Sequence, residues 1–181
     1  MQKHKDQRVG VFVDVQNMYH SAKNLFHANV NFAHVLEEAV ADRQLIRAIA
    51  YVIQSQTTEQ GTEEENFFNI LEQQGFEVKM KDLQVFLGGS KKGDWDVGIA
   101  VDAIKLADKL DTIVLVTGDG DFAPLVTYLQ ENKGCQVEVL AFEKSTSSRL
   151  LEKVDSFVDL SEETNYFLLK SKKRTHKKKK K

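Results

Sequence analysis

Apolar and polar positions along the chain switch between two periods. Residues 8–15, RVGVFVDV, form a short apolar, β-branched run of the kind shown by a strand buried on both faces. Residues 17–26 and 32–42 repeat their apolar positions at helical spacing, and 44–53, QLIRAIAYVI, read as a second strand. Residues 63–75 read as a helix stopped by Gly75. FEVKMKDLQVFL, 76–87, alternates like one partly exposed strand, and 94–110 form a long helix. TIVLVT, 112–117, is a fourth strand. A helix follows over 122–134, with Pro124 in its first turn and Gly134 beyond its end. Residues 135–142 make a fifth strand, and 148–160 a short helix with a last short strand.

Continuous apolar strands alternating with helices predict an α/β fold: a three-layer, Rossmann-like parallel sheet with helices on both faces. With one proline, no Ser/Gly-rich linker and no internal repeat, one domain is expected over residues 8–161, followed by a C-terminal extension, 162–181. LGGSKKGD, 87–94, is the one conspicuous loop.

Composition narrows this picture. The apolar content, 41%, is ordinary for a globular chain. No segment approaches the roughly 20 apolar residues of a membrane helix, and the polar stretch Met1 to Arg8 followed by a short apolar run is not a signal peptide. The single cysteine, Cys135, excludes an internal disulfide and a Cys-rich zinc site, and points to a reducing cytoplasm. A net charge of −2 hides a split. KSKKRTHKKKKK, 170–181, holds 9 basic residues and no acid, which leaves 16 basic against 27 acidic residues, a balance of −11, in residues 1–169. Such a tail is expected to be disordered. It either holds a polyanion such as RNA through phosphate contacts or is a solubilising appendage.

The candidate chemistry is a set of aspartates. Ligands of open parallel sheets bind beyond the carboxyl ends of the strands, where strand order reverses. Asp14 ends the first strand, and Asp119 and Asp121 follow the fourth, in VLVTGDGDFAPLV (114–126). These two strands are the expected neighbours at the switch point. On a helical wheel Asp96 falls within about 40° of Ala100, Ala103, Ala107 and Leu110, whereas Asp102, Lys105, Asp108 and Lys109 fall on the opposite, solvent-facing side. Asp94 is the better cap for that helix, so capping does not require Asp96. Each acid has a plainer reading: a strand-end residue for Asp14, a capped polar turn for Asp119 and Asp121, a dipole-favoured first-turn acid for Asp96. Together they carry more. Two carboxylates about 4 Å apart repel by roughly 4 kcal/mol at an effective dielectric near 20. Four in one crevice must hold protons or a cation, and an all-oxygen set suits Mg²⁺ or Mn²⁺. Asn17 caps the first helix or positions a water or phosphate. Thr117 is a β-former or shares that role, and Lys92 is a solvated loop lysine close to the crevice. The five histidines show no ligand spacing, phosphate-binding glycine motifs are missing, and DGDFAPLVTYLQ departs from an EF-hand loop at Ala123 and Gln130.

VFVDVQNMY, KKGDWDVGIAVDAI, VLVTGDGDFAPLV, VEVLAF and SSRLLEKVDSFVDL, in this order over about Arg8 to Ser161, resemble the PIN-like NYN domain, in its bacterial LabA-like group. The resemblance implies a metal-dependent ribonuclease on a PIN-like parallel sheet. It matches Asp14, Asn17, Asp96, Thr117, Asp119 and Asp121 to the family's motif positions, Thr117 replacing a more usual serine. Asp102 also falls at a frequent family position, but the wheel turns it away.

The leading expectation is a Mg²⁺- or Mn²⁺-dependent ribonuclease acting on single-stranded RNA. Asp14, Asp96, Asp119 and Asp121 would serve as ligands, Asn17 and Thr117 would orient water or phosphate, and Lys92 and the tail would draw in the RNA; a homo-oligomer is compatible with this. The alternative is a non-catalytic metal- and RNA-binding regulatory module. A HAD-like phosphatase is a third class, disfavoured because Gln16 stands where its second aspartate belongs.

Overall fold

Aliphatic and β-branched residues fill the central strands, and nearly all are buried: Val9, Val11 and Val13, Ala48 to Val52, Ile113 to Val116, and Val137 to Ala141, where Glu138 is the one charged residue and is buried too. The computed structural model describes residues 3–54, 61–82, 84–85 and 91–169. Gly88, Gly89 and the tail from Lys170 to Lys181 lie outside the described residues, as does the side chain of Lys92. In chain order the elements are β1 (Arg8–Asp14), α1 (Val15–Phe26), β2 (Asn29–Val30), α2 (Phe32–Val40), β3 (Gln44–Gln54), α3 (Gly61–Gln73), β4 (Glu77–Asp82), β5 (Gln84–Val85), β6 (Lys91–Lys92), α4 (Asp96–Ala107), β7 (Thr112–Val116), α5 (Ala123–Lys133), β8 (Gln136–Ala141), α6 (Ser148–Leu151), β9 (Ser156–Asp159), α7 (Thr164–Phe167) and β10 (Leu168–Leu169).

Six strands pair in the order β4-β3-β1-β7-β8-β9, every neighbouring pair parallel. The chain starts at the centre, works outward through β3 and β4, returns to β7 on the other side of β1, and works outward again. Right-handed crossovers then place α1 to α3 on one face and α4 to α6 on the other, which is the three-layer α/β arrangement read from the sequence. Gly75 and Gly134 end α3 and α5 at φ +98 and +66, the left-handed conformation that glycine adopts without strain. Among the described residues no helix is long and apolar enough to cross a membrane.

The structure corrects one strand assignment and adds one strand pair. FEVKMKDLQVFL is not one strand. Among the described residues β4 pairs with β3 up to Asp82 opposite Gln54, and Gln84–Val85 instead pair antiparallel with Lys91–Lys92. β2 and β10 also form an antiparallel pair that two-residue segments give no periodicity to reveal.

One buried ion pair ties the layers together near the amino ends of the strands. Arg43 and Glu138 have side-chain exposures of 0% and 1% and meet in two parallel hydrogen bonds of 2.8 and 2.9 Å. Arg43 also donates to the carbonyls of Ala39 and Val40, so it closes the C-terminus of α2 while reaching β8. Removing one partner leaves a buried charge uncompensated. Glu138→Ala is therefore expected to lower stability by about 3–5 kcal/mol, read as a drop in the urea midpoint. Arg43→Met with Glu138→Leu should recover most of that loss, and an additive double variant would contradict this account.

Candidate active site

β1 and β7 pair in register from Val9 with Thr112 to Val13 with Val116, so Asp14 and Thr117 emerge side by side at the carboxyl end. Strand order reverses at this junction, and the crevice opens here. Asp14 caps α1 by accepting from the Asn17 backbone N–H at 3.0 Å. Asn17 turns its Oδ1 the other way and accepts from the Gly118 N–H at 3.0 Å, linking the β1 end to the β7 turn. Thr117 lies beneath the acids at 1% exposure. Its hydroxyl accepts from the Asp119 N–H at 3.2 Å and hydrogen-bonds Asp14. It therefore positions the acids rather than facing the cavity. Asp119 accepts from the Asp121 N–H at 2.9 Å, which shapes the turn into α5.

The glycines of this turn are required by close approach. A Cβ on Gly118 would stand 2.9 Å from the Ser145 carbonyl oxygen, and one on Gly120 would stand 2.4 Å from the Ser147 hydroxyl. The Ser147 N–H donates to the Gly118 carbonyl at 2.9 Å, so the 145–147 segment braces the turn from outside.

Asp96 opens α4 on the same stripe as the buried Ile99, Ala103 and Ala107, as the wheel placed it. Asp94 does not cap this helix. The N-cap is Trp95 and makes no side-chain cap bond. Trp95 anchors the helix start by donating its indole N–H to the Val52 carbonyl at 2.8 Å, at the end of β3. Asp102 points away from Asp96, yet it is paired rather than solvated. It accepts from Lys79 Nζ at 2.7 Å and from the Tyr51 hydroxyl at 2.8 Å. Burial opposes its charge, but these bonds hold its carboxyl below the ordinary range.

The result is a cavity of about 330 Å³ whose polar lining includes Asp14, Asn17, His20, Asp94, Asp96 and Asp119. Burial first, then the charges of Asp119, Asp14, Asp94 and Asp121, push the Asp96 carboxyl up to about 6. Burial also raises Asp14, against the Asn17 amide that stabilises its charge. Asp121 is exposed and off the cavity wall, near enough to act on Asp96 through charge alone. Lys92 sits in β6, two residues before Asp94 of the cavity wall, and its side chain is outside the described residues. Sequence reasoning missed Asp94 and Trp95 as parts of the wall. The one available signal was a lone tryptophan between two aspartates.

The donor chemistry suits a hard divalent cation: carboxylate oxygens from Asp14, Asp94, Asp96 and Asp119, and none of these in an ion pair among the described residues. The cluster is not closed around an ion. Among the described residues no three His, Cys, Asp or Glu side chains form a ready ligand set. The fit therefore rests on donor type and on the gathering of Asp14, Asp94, Asp96 and Asp119 at one cavity without a cationic partner among the described residues.

A model of the NYN domain matches residues 8–162. The chain belongs to the NYN domain family. NYN domains form a PIN-like nuclease family whose members are typically nucleases and generally use divalent metals, and NYN nucleases act on RNA. A crystal structure of a protein of unknown function from Vibrio parahaemolyticus is similar to this NYN domain, with a TM-score of 0.81 and 36% identity, covering 93% of this chain and 100% of that one. A search of curated proteins found no match.

The raised Asp96 makes a pH prediction with a definite sign. A folded-state value above the unfolded one, about 4, means that folding favours the neutral acid. The charged form weakens the fold above about pH 6, and the penalty disappears as the pH falls below about 4. In EDTA, Asp96→Asn is expected to stabilise the domain by about 1 kcal/mol at pH 8, a figure already reduced for solvent screening. The gain should vanish near pH 3.5. Urea unfolding at the two pH values checks this, and a gain independent of pH would contradict it.

Proposed function

We propose that this NYN domain is a Mg²⁺- or Mn²⁺-dependent ribonuclease that cuts single-stranded RNA in the acid-lined crevice. The observation that carries this reading is Asp96, a helix-opening carboxylate on an apolar stripe that lines the cavity with Asp14, Asp94 and Asp119, its proton affinity raised by burial first and then by four other aspartates. Asp14, Asp96 and Asp119 would hold the cation, with Asp94 at the same wall and Asp121 adding negative charge from outside it. A bound divalent ion would offset the acids' repulsion and neutralise charge on the phosphodiester during in-line displacement.

The chain's own groups divide the remaining work. Asn17 accepts the Gly118 N–H through Oδ1, so its amide nitrogen remains to donate to a phosphate oxygen. Thr117 holds Asp14 and the Asp119 backbone in place. The Asn17 bond keeps the two turns at a fixed separation and the Asp119 bond fixes the shape of the second, which is the preorganisation that phosphoryl chemistry needs. The 9 basic residues of 170–181 would hold the RNA backbone outside the crevice.

The test is cleavage of end-labelled single-stranded RNA in Mg²⁺, Mn²⁺ or EDTA. Cutting is expected in metal and not in EDTA, and Asp96→Asn or Asp121→Asn should each reduce it by about 100-fold or more without loss of the folded state. Full activity in either variant would remove that residue from the site. RNA that binds without being cut would overturn the nuclease reading in favour of a binding module.

A further inference from the structure

A second cavity, of about 440 Å³, opens beside the acid crevice and shares two of its walls, Gln16 and His20. β3 supplies its floor through Val52 and Ile53, α1 one side through Tyr19, and α3 the other through Phe67 and Glu63. Tyr19 is 47% exposed, a large apolar surface to leave against water at the mouth of a cavity. Its ring is held in place all the same. His20 packs edge-on against it at 5.5 Å and 74°, and Lys23 Nζ lies 5.4 Å from its centroid.

We infer that this cavity is a nucleobase pocket, receiving the base of the RNA nucleotide next to the phosphate in the acid crevice, with Tyr19 as its stacking platform. The inference rests on the ribonuclease reading for the position of the phosphate. Its own support is chemical. An apolar floor and aromatic walls suit a flat ring, and the Glu63 carboxylate repels a phosphate while accepting from the N–H donors at a base edge. The shared Gln16 and His20 make the two cavities contiguous, so one nucleotide can place its phosphate in one and its base in the other. A base must be unstacked to enter, which selects single strands over duplex.

The test uses the full chain carrying Asp96→Asn, in Mg²⁺, with single-stranded RNA oligonucleotides in which 2-aminopurine replaces one base at a time. Quenching is expected at one position. Tyr19→Leu should abolish that quenching and weaken binding about tenfold, and Tyr19→Phe, which keeps the ring, should preserve both. Tyr19 is half exposed, so an unchanged melting temperature separates lost stacking from lost folding. Quenching at no position, or a Tyr19→Leu protein that binds like its parent, would overturn the pocket. The two readings fail separately. Chain with native Asp96 that stacks the base but does not cut in metal keeps the pocket and loses the nuclease. Cutting without quenching keeps the nuclease and loses the pocket.

Discussion

The parallel pairing of β1 with β7 is the constraint on which the site depends. Five consecutive residue pairs, Val9–Thr112 to Val13–Val116, set these strands level. A level parallel pair ends both strands at one height, so Asp14 and the turn from Thr117 to Asp121 cannot avoid each other. The chain reaches β3 from one and β8 from the other, in opposite directions, so no crossover covers the junction. The crevice follows from topology. The short bonds then set its dimensions: Asn17 to Gly118 between the turns, and Trp95 to Val52 holding α4 against the end of β3.

Electrostatics runs against this geometry. Burial and neighbouring acids raise Asp96 and Asp14 together, and no cation among the described residues pairs with them. Elsewhere the same chain pairs its half-buried and buried acids, Asp102 with Lys79 and Glu138 with Arg43. The contrast matters more than the count of acids. A fold that neutralises carboxylates in its core and at its edge leaves them uncompensated where its topology opens a crevice, and perturbed groups of that kind collect at functional sites.

Much of this was legible along the chain because it rests on local periodicity. Val9 to Val13 and Ile113 to Val116 read as buried strands, the stripe through Ala100, Ala103 and Ala107 assigned Asp96 to the inner face, and Gly75 and Gly134 marked helix ends. What escaped depends on partners distant in sequence. Gln84–Val85 leave the line of β4 because they pair with Lys91–Lys92. Thr117 is hidden by acids above it, and its hydroxyl is engaged by Asp14 and the Asp119 amide. Trp95 takes the cap position that Asp94 was expected to fill because Val52, 43 residues earlier, accepts its indole N–H. The aromatic cavity needs α1 and α3 side by side, which no window of either helix reveals.

The central claim is that the uncompensated acids exist to hold a divalent cation. Anomalous diffraction from crystals soaked in Mn²⁺ tests it most directly, since it locates the ion without requiring a substrate or turnover. The account predicts one or two anomalous peaks inside the crevice, in contact with carboxylate oxygens of Asp96 and of Asp14 or Asp119. A crevice without a peak at saturating Mn²⁺, or Mn²⁺ bound only elsewhere on the surface, would contradict it.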